Sequence, residues 1–102
     1  MRTPEECKTM AELRVEIDAL DRRLIDLLAQ RVRYIDRAAE LKLVEGLPAN
    51  IPSRVEDVVA QVRQTAARAG FDAGLAEKMW RAMIAWSIAR EEEKLGSGSP
   101  QA

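Results

Sequence analysis

Several residue types on which enzymes commonly depend are missing or scarce in this chain. Its 102 residues include no histidine and a single cysteine. A Ser-His or Cys-His catalytic pair is therefore excluded, no disulfide can form within one chain, and no structural zinc cluster can be built. We accordingly expect neither a metal nor a cofactor. Catalysis by charged groups held in fixed positions remains open.

Neither an excess charge of one sign nor a long apolar run is present. Lysine plus arginine number 16 and aspartate plus glutamate 17, for a net charge of -1, whereas a nucleic-acid-binding protein is expected to show a basic excess. No run approaches the ~18 apolar residues of a membrane span. Residues 1–10 lack the apolar core of a secretory signal. We therefore expect a cytoplasmic protein that binds neither nucleic acid nor membrane.

A stretch without glycine or proline makes up the first predicted helix. Thr9 and Glu12 have the spacing of a capping box, and apolar residues recur at intervals of three and four as far as about Lys42. These residues are Leu13, Ile17, Leu20, Leu24, Leu27, Leu28, Val32, Ile35, Ala38, Ala39 and Leu41. Such a helix is ~45–50 Å long, whereas a compact chain of this size has a radius of gyration of ~13 Å. Its apolar stripe needs a partner chain, so we expect a two-fold homodimer.

A loop and a shorter second helix are predicted to follow. The loop covers residues 44–52, which hold one glycine and two prolines. The second helix begins with a cap at either Asn50 or Ser53, an alternative that the sequence leaves open, and it stops at Gly70. Its inner face carries Val55, Val58, Val59, Val62, Ala66 and Ala69.

The third predicted helix is of medium length. Asp72 caps it and Gly96 ends it. One face carries Leu75, Met79, Met83, Trp86 and either Ala89 or Arg90, with Trp80, Ile84 and Ile88 beside them. Since no alternation typical of strands is present, we expect an all-α fold of one long and two shorter helices. The domain is predicted over residues 1–95 and a disordered tail over residues 96–102.

Cations on the first helix have a spacing that suits a small dianion. In a heptad count from Leu13, Arg31 falls on an inner position, where a guanidinium is costly unless an anion meets it. Lys42 follows eleven residues later, which places it on nearly the same face and ~16 Å away. Arg14 is ~25 Å from Arg31 and turned by ~100°. Arg14 can therefore join the same site only from a second subunit.

Four short motifs occur in a specific order along the chain. They are TPEEC at residues 3–7, separated by five residues from Leu13-Arg14, the Arg31/Lys42 pair, IPSRV at residues 51–55 and WSIARE at residues 86–91. Together they resemble the all-helical, type II chorismate mutases, and most nearly the branch that includes isochorismate-pyruvate lyase. The resemblance covers about residues 3–95. It implies an intertwined homodimer of three-helix chains with two equivalent sites that share residues across subunits.

The resemblance implies substrate-binding and catalytic roles for three cations. Arg14 matches an arginine that the partner chain supplies to a substrate carboxylate. Arg31 matches an arginine of the same chain that binds the other carboxylate region. Lys42 matches a lysine that bonds the ether oxygen and a carboxylate. The substrate implied is a small dicarboxylate, either chorismate or isochorismate.

Further matched positions lie on the second and third helices. Arg54 matches an arginine near the site mouth. Val55 and Ile88 match apolar residues of the lyase branch at positions that are polar in some mutases. Glu91 stands where many members have a glutamine that hydrogen-bonds the ether oxygen, and some have glutamate. Because a carboxylate would repel that oxygen, we expect Glu91 to act in its protonated form.

Three interpretations of the function follow. The first is a chorismate mutase, an isomerase that makes prephenate for aromatic amino-acid biosynthesis. The second is an isochorismate-pyruvate lyase, which makes salicylate and pyruvate in the same site. Val55 and Ile88 favour the lyase, whereas Glu91 and the WSIARE ending favour the mutase, which we prefer. The third is a non-catalytic helical dimerisation module, whose cations pair with carboxylates on a solvated face; it does not explain Arg31.

Replacing Arg31 with alanine distinguishes an enzyme from a dimerisation module. Loss of one preorganised cation is expected to lower the rate ~10²-fold or more, while the oligomeric state persists. Steady-state assays with chorismate and isochorismate, combined with size-exclusion chromatography, measure both. Arg33→Ala, which removes a neighbouring cation outside the heptad seam, is the control. Unchanged turnover in Arg31→Ala contradicts a catalytic role for this residue.

Overall fold

The computed structural model describes residues 1–96, which form three α-helices. Helix α1 spans Met10–Glu45, α2 spans Pro52–Ala69 and α3 spans Ala73–Leu95. A single turn of 3₁₀ helix, Pro4–Glu6, precedes them. The described residues contain no strand. The predicted all-α architecture, with one long and two shorter helices, is confirmed.

The first helix begins where the sequence predicts. The Thr9 hydroxyl accepts a hydrogen bond from the Glu12 amide at 3.1 Å, which is the first half of a capping box. The second half differs, because the Glu12 carboxylate accepts from the Lys8 amide at 2.7 Å rather than from Thr9. The chain before the helix also folds back on it, since the Arg2 amide donates to the Glu16 carboxylate at 3.0 Å.

The end of α1 lies slightly later than predicted. The helix continues to Glu45, so the predicted loop shortens to residues 46–51. Gly46 turns the chain with a φ of 72°, a left-handed conformation that glycine adopts without steric cost. The Leu47 amide then donates to the Lys42 carbonyl at 2.9 Å. This bond fixes the last turn of α1, where Lys42 lies.

Both predicted caps of α2 are wrong. Neither Asn50 nor Ser53 caps the helix; the cap residue is Ile51, which makes no side-chain cap hydrogen bond. Pro52 occupies the first turn, where its fixed φ is already helical and its missing amide costs nothing. The Arg54 amide donates a hydrogen bond to the Ile51 carbonyl at 3.0 Å. Proline and a backbone bond thus replace the side-chain cap.

The turn between α2 and α3 follows the prediction closely. Gly70 adopts a φ of 77°, and the Phe71 amide donates to the Ala66 carbonyl at 2.8 Å. Asp72 caps α3 by accepting from the Leu75 amide at 2.7 Å. These local signals place the two helices next to each other in space.

The C-terminal end of α3 also agrees with the prediction. Gly96 follows the last helical residue, and its amide donates to the Glu92 carbonyl at 2.8 Å. The tail predicted over residues 96–102 lies, beyond Gly96, outside the described residues. No helix within the described part of the chain combines the length and apolar character that crossing a bilayer requires.

The described chain divides into two compact units, Met1–Tyr34 and a second that begins at Ile35. In the first unit, the apolar stripe predicted on α1 lies on the surface. Four of its members are exposed by 46 to 61%: Ile17, Leu20, Leu24 and Leu27. Large contiguous apolar surfaces usually mark an interface. The first unit by itself therefore leaves this stripe uncovered.

The second unit has its core where α2 and α3 pack together. The buried apolar residues of this unit are Ala39, Ala49, Val59, Ala66, Ala76 and Ile84. The face of α3 that carries Leu75, Met79 and Trp86 does not contribute to this core, because all three are exposed. The buried residues of α3 are Ala76, Ile84, Ser87 and Glu91. Apolar residues occur on several sides of this helix, so periodicity alone did not identify the side that faces α2.

Charged side chains join α2 to α3 on the surface. Arg81 contacts the Glu56 carboxylate through both terminal nitrogens, at 3.1 and 3.0 Å, and contacts Glu77 through Nε at 2.7 Å. Glu77 also accepts from Arg63 at 2.7 Å. Hydrogen bonds from Arg81 hold the pKa values of Glu56 and Glu77 below their ordinary value. The stability of this helix pair therefore depends on pH.

Acidification is expected to remove the contribution of this network. A carboxyl group with a pKa lowered by folding stabilises the protein above its ordinary pKa of 4.5, and this stabilisation is lost as the pH falls through the lowered value. The melting temperature of Arg81→Gln should lie below that of the wild type at neutral pH, and the difference should shrink in acid. Lys78→Gln, an exposed cation on the same helix, is the control. A difference that stays constant with pH contradicts the network.

Candidate active site

An ion pair between α1 and α3 is the central feature of the candidate site. Lys42 Nζ lies 2.7 Å from Glu91 Oε1. The Glu91 side chain is only 5% exposed and the Lys42 side chain 20%. A buried charge is stable only when an opposite charge or hydrogen bonds compensate it. The two predicted catalytic residues, far apart in the sequence, are thus brought into direct contact.

The ammonium of Lys42 is held in place on a second side by the backbone. Its Nζ donates to the Ala49 carbonyl at 2.8 Å, and Ala49 belongs to the loop that follows α1. A lysine ammonium has three protons to donate. With one directed to Ala49 and one side in contact with Glu91, donor capacity remains for a ligand. The loop and α3 therefore position the cation before any substrate arrives.

Glu91 keeps hydrogen-bonding capacity in spite of its burial. Its Oε1 is close to Lys42 Nζ, but no described donor makes an aligned hydrogen bond to this oxygen. The contact is therefore an ion pair without the directional component of a hydrogen bond. The hydrogen-bonding capacity of this buried carboxyl oxygen is therefore not used by the described residues.

Ser87 is a polar residue of this region that the sequence analysis missed. Ser87 and Glu91 are the buried polar or charged residues of the described chain, and they lie one turn apart on α3. The Ser87 hydroxyl donates to the Met83 carbonyl at 2.8 Å. A serine four residues before Glu91, between the apolar residues Ile84 and Ile88, was the available signal. The sequence did not reveal its burial, because that depends on how α3 is turned.

Val55 and Ile88 line a common cavity between α2 and α3. The cavity measures about 220 Å³. Its other walls are Asn50, Pro52, Glu56, Arg81, Ile84 and Ala85. Among the described residues, the lining includes neither Lys42 nor Glu91, although Ile88 is only one turn from Glu91 on α3. The structure therefore places the predicted apolar residues together, next to the ion pair but not around it.

The three predicted substrate-binding arginines lie on α1 and α2. Arg14 is exposed and Arg31 half-buried, both on the part of α1 in the first unit. Arg54 lies exposed in the first turn of α2. Their roles in substrate binding stay predictions. Lys42 and Glu91 are the predicted residues whose charged groups the structure brings into contact.

Residues 13–92 match the family model of chorismate mutase type II. The match covers all of α2, and all of α1 and α3 except the first turn of α1 and the last turn of α3. It leaves the activity open, because individual relatives of the chain have different names.

Relatives of the chain include a lyase, a mutase and a longer protein. The isochorismate pyruvate lyase of Pseudomonas aeruginosa is 33% identical over 92 residues, which make up 89% of each chain. The chorismate mutase of Methanocaldococcus jannaschii is 27% identical over 86 residues, or 84% of this chain and 87% of the relative. The T-protein of Haemophilus influenzae is 35% identical over 86 residues, but this chain spans only 23% of its length.

Proposed function

This chain belongs to the type II chorismate mutase family, and on that premise we propose that it is an isomerase that converts chorismate to prephenate. The observation that carries the proposal is the Lys42 ammonium, held between a backbone carbonyl and the buried Glu91 carboxyl. This arrangement provides a fixed positive charge in a largely buried location, together with a carboxyl group that keeps free bonding capacity.

The proposed reaction requires little more than such groups. In the rearrangement, the ether C–O bond breaks and a C–C bond forms within one molecule, so no nucleophile or metal is needed. The site must hold the reactive conformer and stabilise the charge that develops on the ether oxygen. A single preorganised donor of this kind contributes ~10²–10³ in rate. The absence of histidine from the chain is therefore compatible with catalysis.

Lys42 and Glu91 act on the ether oxygen in this proposal. Lys42 directs its remaining proton at that oxygen. Glu91 can donate to the oxygen only when it is itself protonated. In this arrangement Lys42 and a protonated Glu91 each donate a hydrogen bond to the ether oxygen.

The carboxylates of the substrate are assigned to arginines. We propose that Arg31 of the same chain and Arg14 of a second copy bind them through paired N–H groups, which suit the planar carboxylate. Arg54 lies near the entrance. The uncovered apolar stripe of α1 in the first unit supports a homodimer, because a second copy of the helix supplies apolar surface of the same kind.

An isochorismate-pyruvate lyase is the second candidate. The specific observation in its favour is that Val55 and Ile88 line a cavity one turn from Glu91, at positions where the family resemblance leads us to expect apolar residues in the lyase branch. A similarly named relative covers nearly the whole chain. We place the mutase first because Glu91 and the WSIARE ending at residues 86–91 favour it by the family resemblance.

A comparison of the two substrates tests the assignment. We expect the purified protein to convert chorismate to prephenate with a higher kcat/KM than it converts isochorismate to salicylate and pyruvate. The two products are followed separately, prephenate after acid conversion and salicylate by its fluorescence. If isochorismate is turned over faster, the protein is assigned as a lyase and not as a mutase. Turnover of neither substrate, by a folded protein, contradicts both.

The pH dependence of catalysis tests the role of Glu91. Because only the protonated carboxyl donates to the ether oxygen, kcat/KM of the wild type is expected to fall from mildly acidic to alkaline pH. Glu91→Gln, which donates at every pH, is expected to flatten the profile. Glu93→Gln, an exposed glutamate of the same helix, is the control and should keep the wild-type slope. A flat profile for the wild type contradicts the proposal.

A further inference from the structure

A second ion pair connects α1 to α3 beside the candidate site. Arg90 Nε lies 2.6 Å from Asp36 Oδ1, and its Nη2 lies 3.0 Å from Asp36 Oδ2. Two parallel N–H···O bonds of this kind fix both distance and orientation. Arg90 is the residue before Glu91 on α3, and Asp36 lies on the same helix as Lys42. Helix α1 therefore contributes one residue to each of the two pairs, and so does α3.

The two pairs lie on opposite flanks of a buried position on α1. Asp36 comes three residues before Ala39 and Lys42 three residues after it. At ~100° per residue they project ~60° to either side of Ala39, which is 2% exposed. Both side chains find partners on α3. An ion pair on each side opposes rotation of this part of α1 in either direction.

Side-chain contacts, more than close backbone packing, connect this part of α1 to α3. Helices α2 and α3 pack closely, whereas the backbone of α1 from Ile35 onward approaches the other helices at few points. The relative position of Lys42 and Glu91 is therefore not secured by close backbone packing alone. The bidentate Asp36–Arg90 pair supplies a constraint where packing is sparse.

The Arg90 guanidinium is itself held in position. Its Cζ lies 5.4 Å from the centroid of the Trp86 ring, one turn earlier on α3, within the range of a cation–π interaction. Hydrogen bonds from Arg90 hold the pKa of Asp36 below its ordinary value, so Asp36 stays ionised at neutral pH. Neither Asp36 nor Arg90 belongs to the site as assigned above.

We propose that Asp36 and Arg90 are positioning residues, whose ion pair sets the spacing between the Lys42 ammonium and the Glu91 carboxyl. The inference rests on the proposed function, since that spacing matters only if both groups act on the same substrate atom. A misplacement of about 1 Å at a reacting centre lowers a rate by up to ~10²-fold. Loss of the pair therefore affects kcat more than KM, because the arginines that bind the carboxylates are untouched.

The experiment compares single variants with a charge-exchanged double variant. Asp36→Asn and Arg90→Gln are each expected to lower kcat by about 10- to 100-fold, with a small change in KM. Arg90→Lys keeps the charge but loses the bidentate geometry, so its kcat should fall between that of Arg90→Gln and the wild type. Asp36→Arg combined with Arg90→Asp restores an ion pair and should recover much of the lost kcat.

Arg63→Gln is the matched control. Its partner Glu77 lies 2.7 Å away, and the two side chains are exposed to about the same degree as those of Arg90 and Asp36. This pair joins α2 to α3 and does not involve α1. Its loss should shift the melting temperature as the loss of the Asp36–Arg90 pair does, while kcat stays at the wild-type value.

A double-variant cycle separates positioning from general stability. If Asp36 acts through Glu91, then Asp36→Asn should lower kcat much less in the Glu91→Gln background than in the wild type. Wild-type kcat in Asp36→Asn, or equal effects in both backgrounds, overturns the positioning role and leaves the proposed function intact. Turnover of neither chorismate nor isochorismate by the folded wild type overturns the proposed function, and this inference with it.

Discussion

The contact between the Lys42 ammonium and the Glu91 carboxyl is the interaction on which the rest of the candidate site depends. Two opposite charges in a largely buried location stabilise each other, whereas either one alone is costly. The pair therefore keeps a cation and an acid close together without a metal or an ordered ligand. The Ala49 carbonyl adds a second restraint on the ammonium. A site of this kind is organised before substrate binds, which is the condition under which electrostatic catalysis is most effective.

The same arrangement imposes a constraint on the chemistry. A carboxylate beside a developing negative charge is unfavourable, so in the proposed reaction Glu91 has to be protonated to donate to the ether oxygen. A glutamine at this position donates without a proton exchange, whereas glutamate links activity to pH. The pair holds two opposite charges together in the ligand-free chain, and in the proposed reaction the same two residues are the donors to the substrate.

The two units differ in where their apolar residues lie. In the unit that begins at Ile35, small residues such as Ala39, Ala66 and Ala76 are buried, and ion pairs connect the helices. In the first unit, the large apolar residues of α1 lie on the surface. We therefore regard association of two copies as the way in which this surface becomes buried.

Local features of the structure followed from the sequence. Thr9, Gly70 and Asp72 mark helix ends as predicted, because a cap or a left-handed glycine depends on atoms only a few residues away. The α2 cap was an exception, since Pro52 made a side-chain cap unnecessary. The family motifs likewise identified Lys42 and Glu91 as candidates, because they are patterns of residue type and spacing along the chain.

Only the tertiary structure decided which residues meet. Asp36 and Arg90 are 54 residues apart, and nothing in their local sequence distinguishes them from the many other charges of this chain. The turn of α3 about its axis, which buries Ser87 and exposes Trp86, was also beyond prediction, because apolar residues occur on several sides of that helix. By itself the sequence determined the helices and the chemical types available. The folding of the chain, which brings side chains of α1 and α2 to α3, determined the pairs, because burial and distance arise only when distant segments come together.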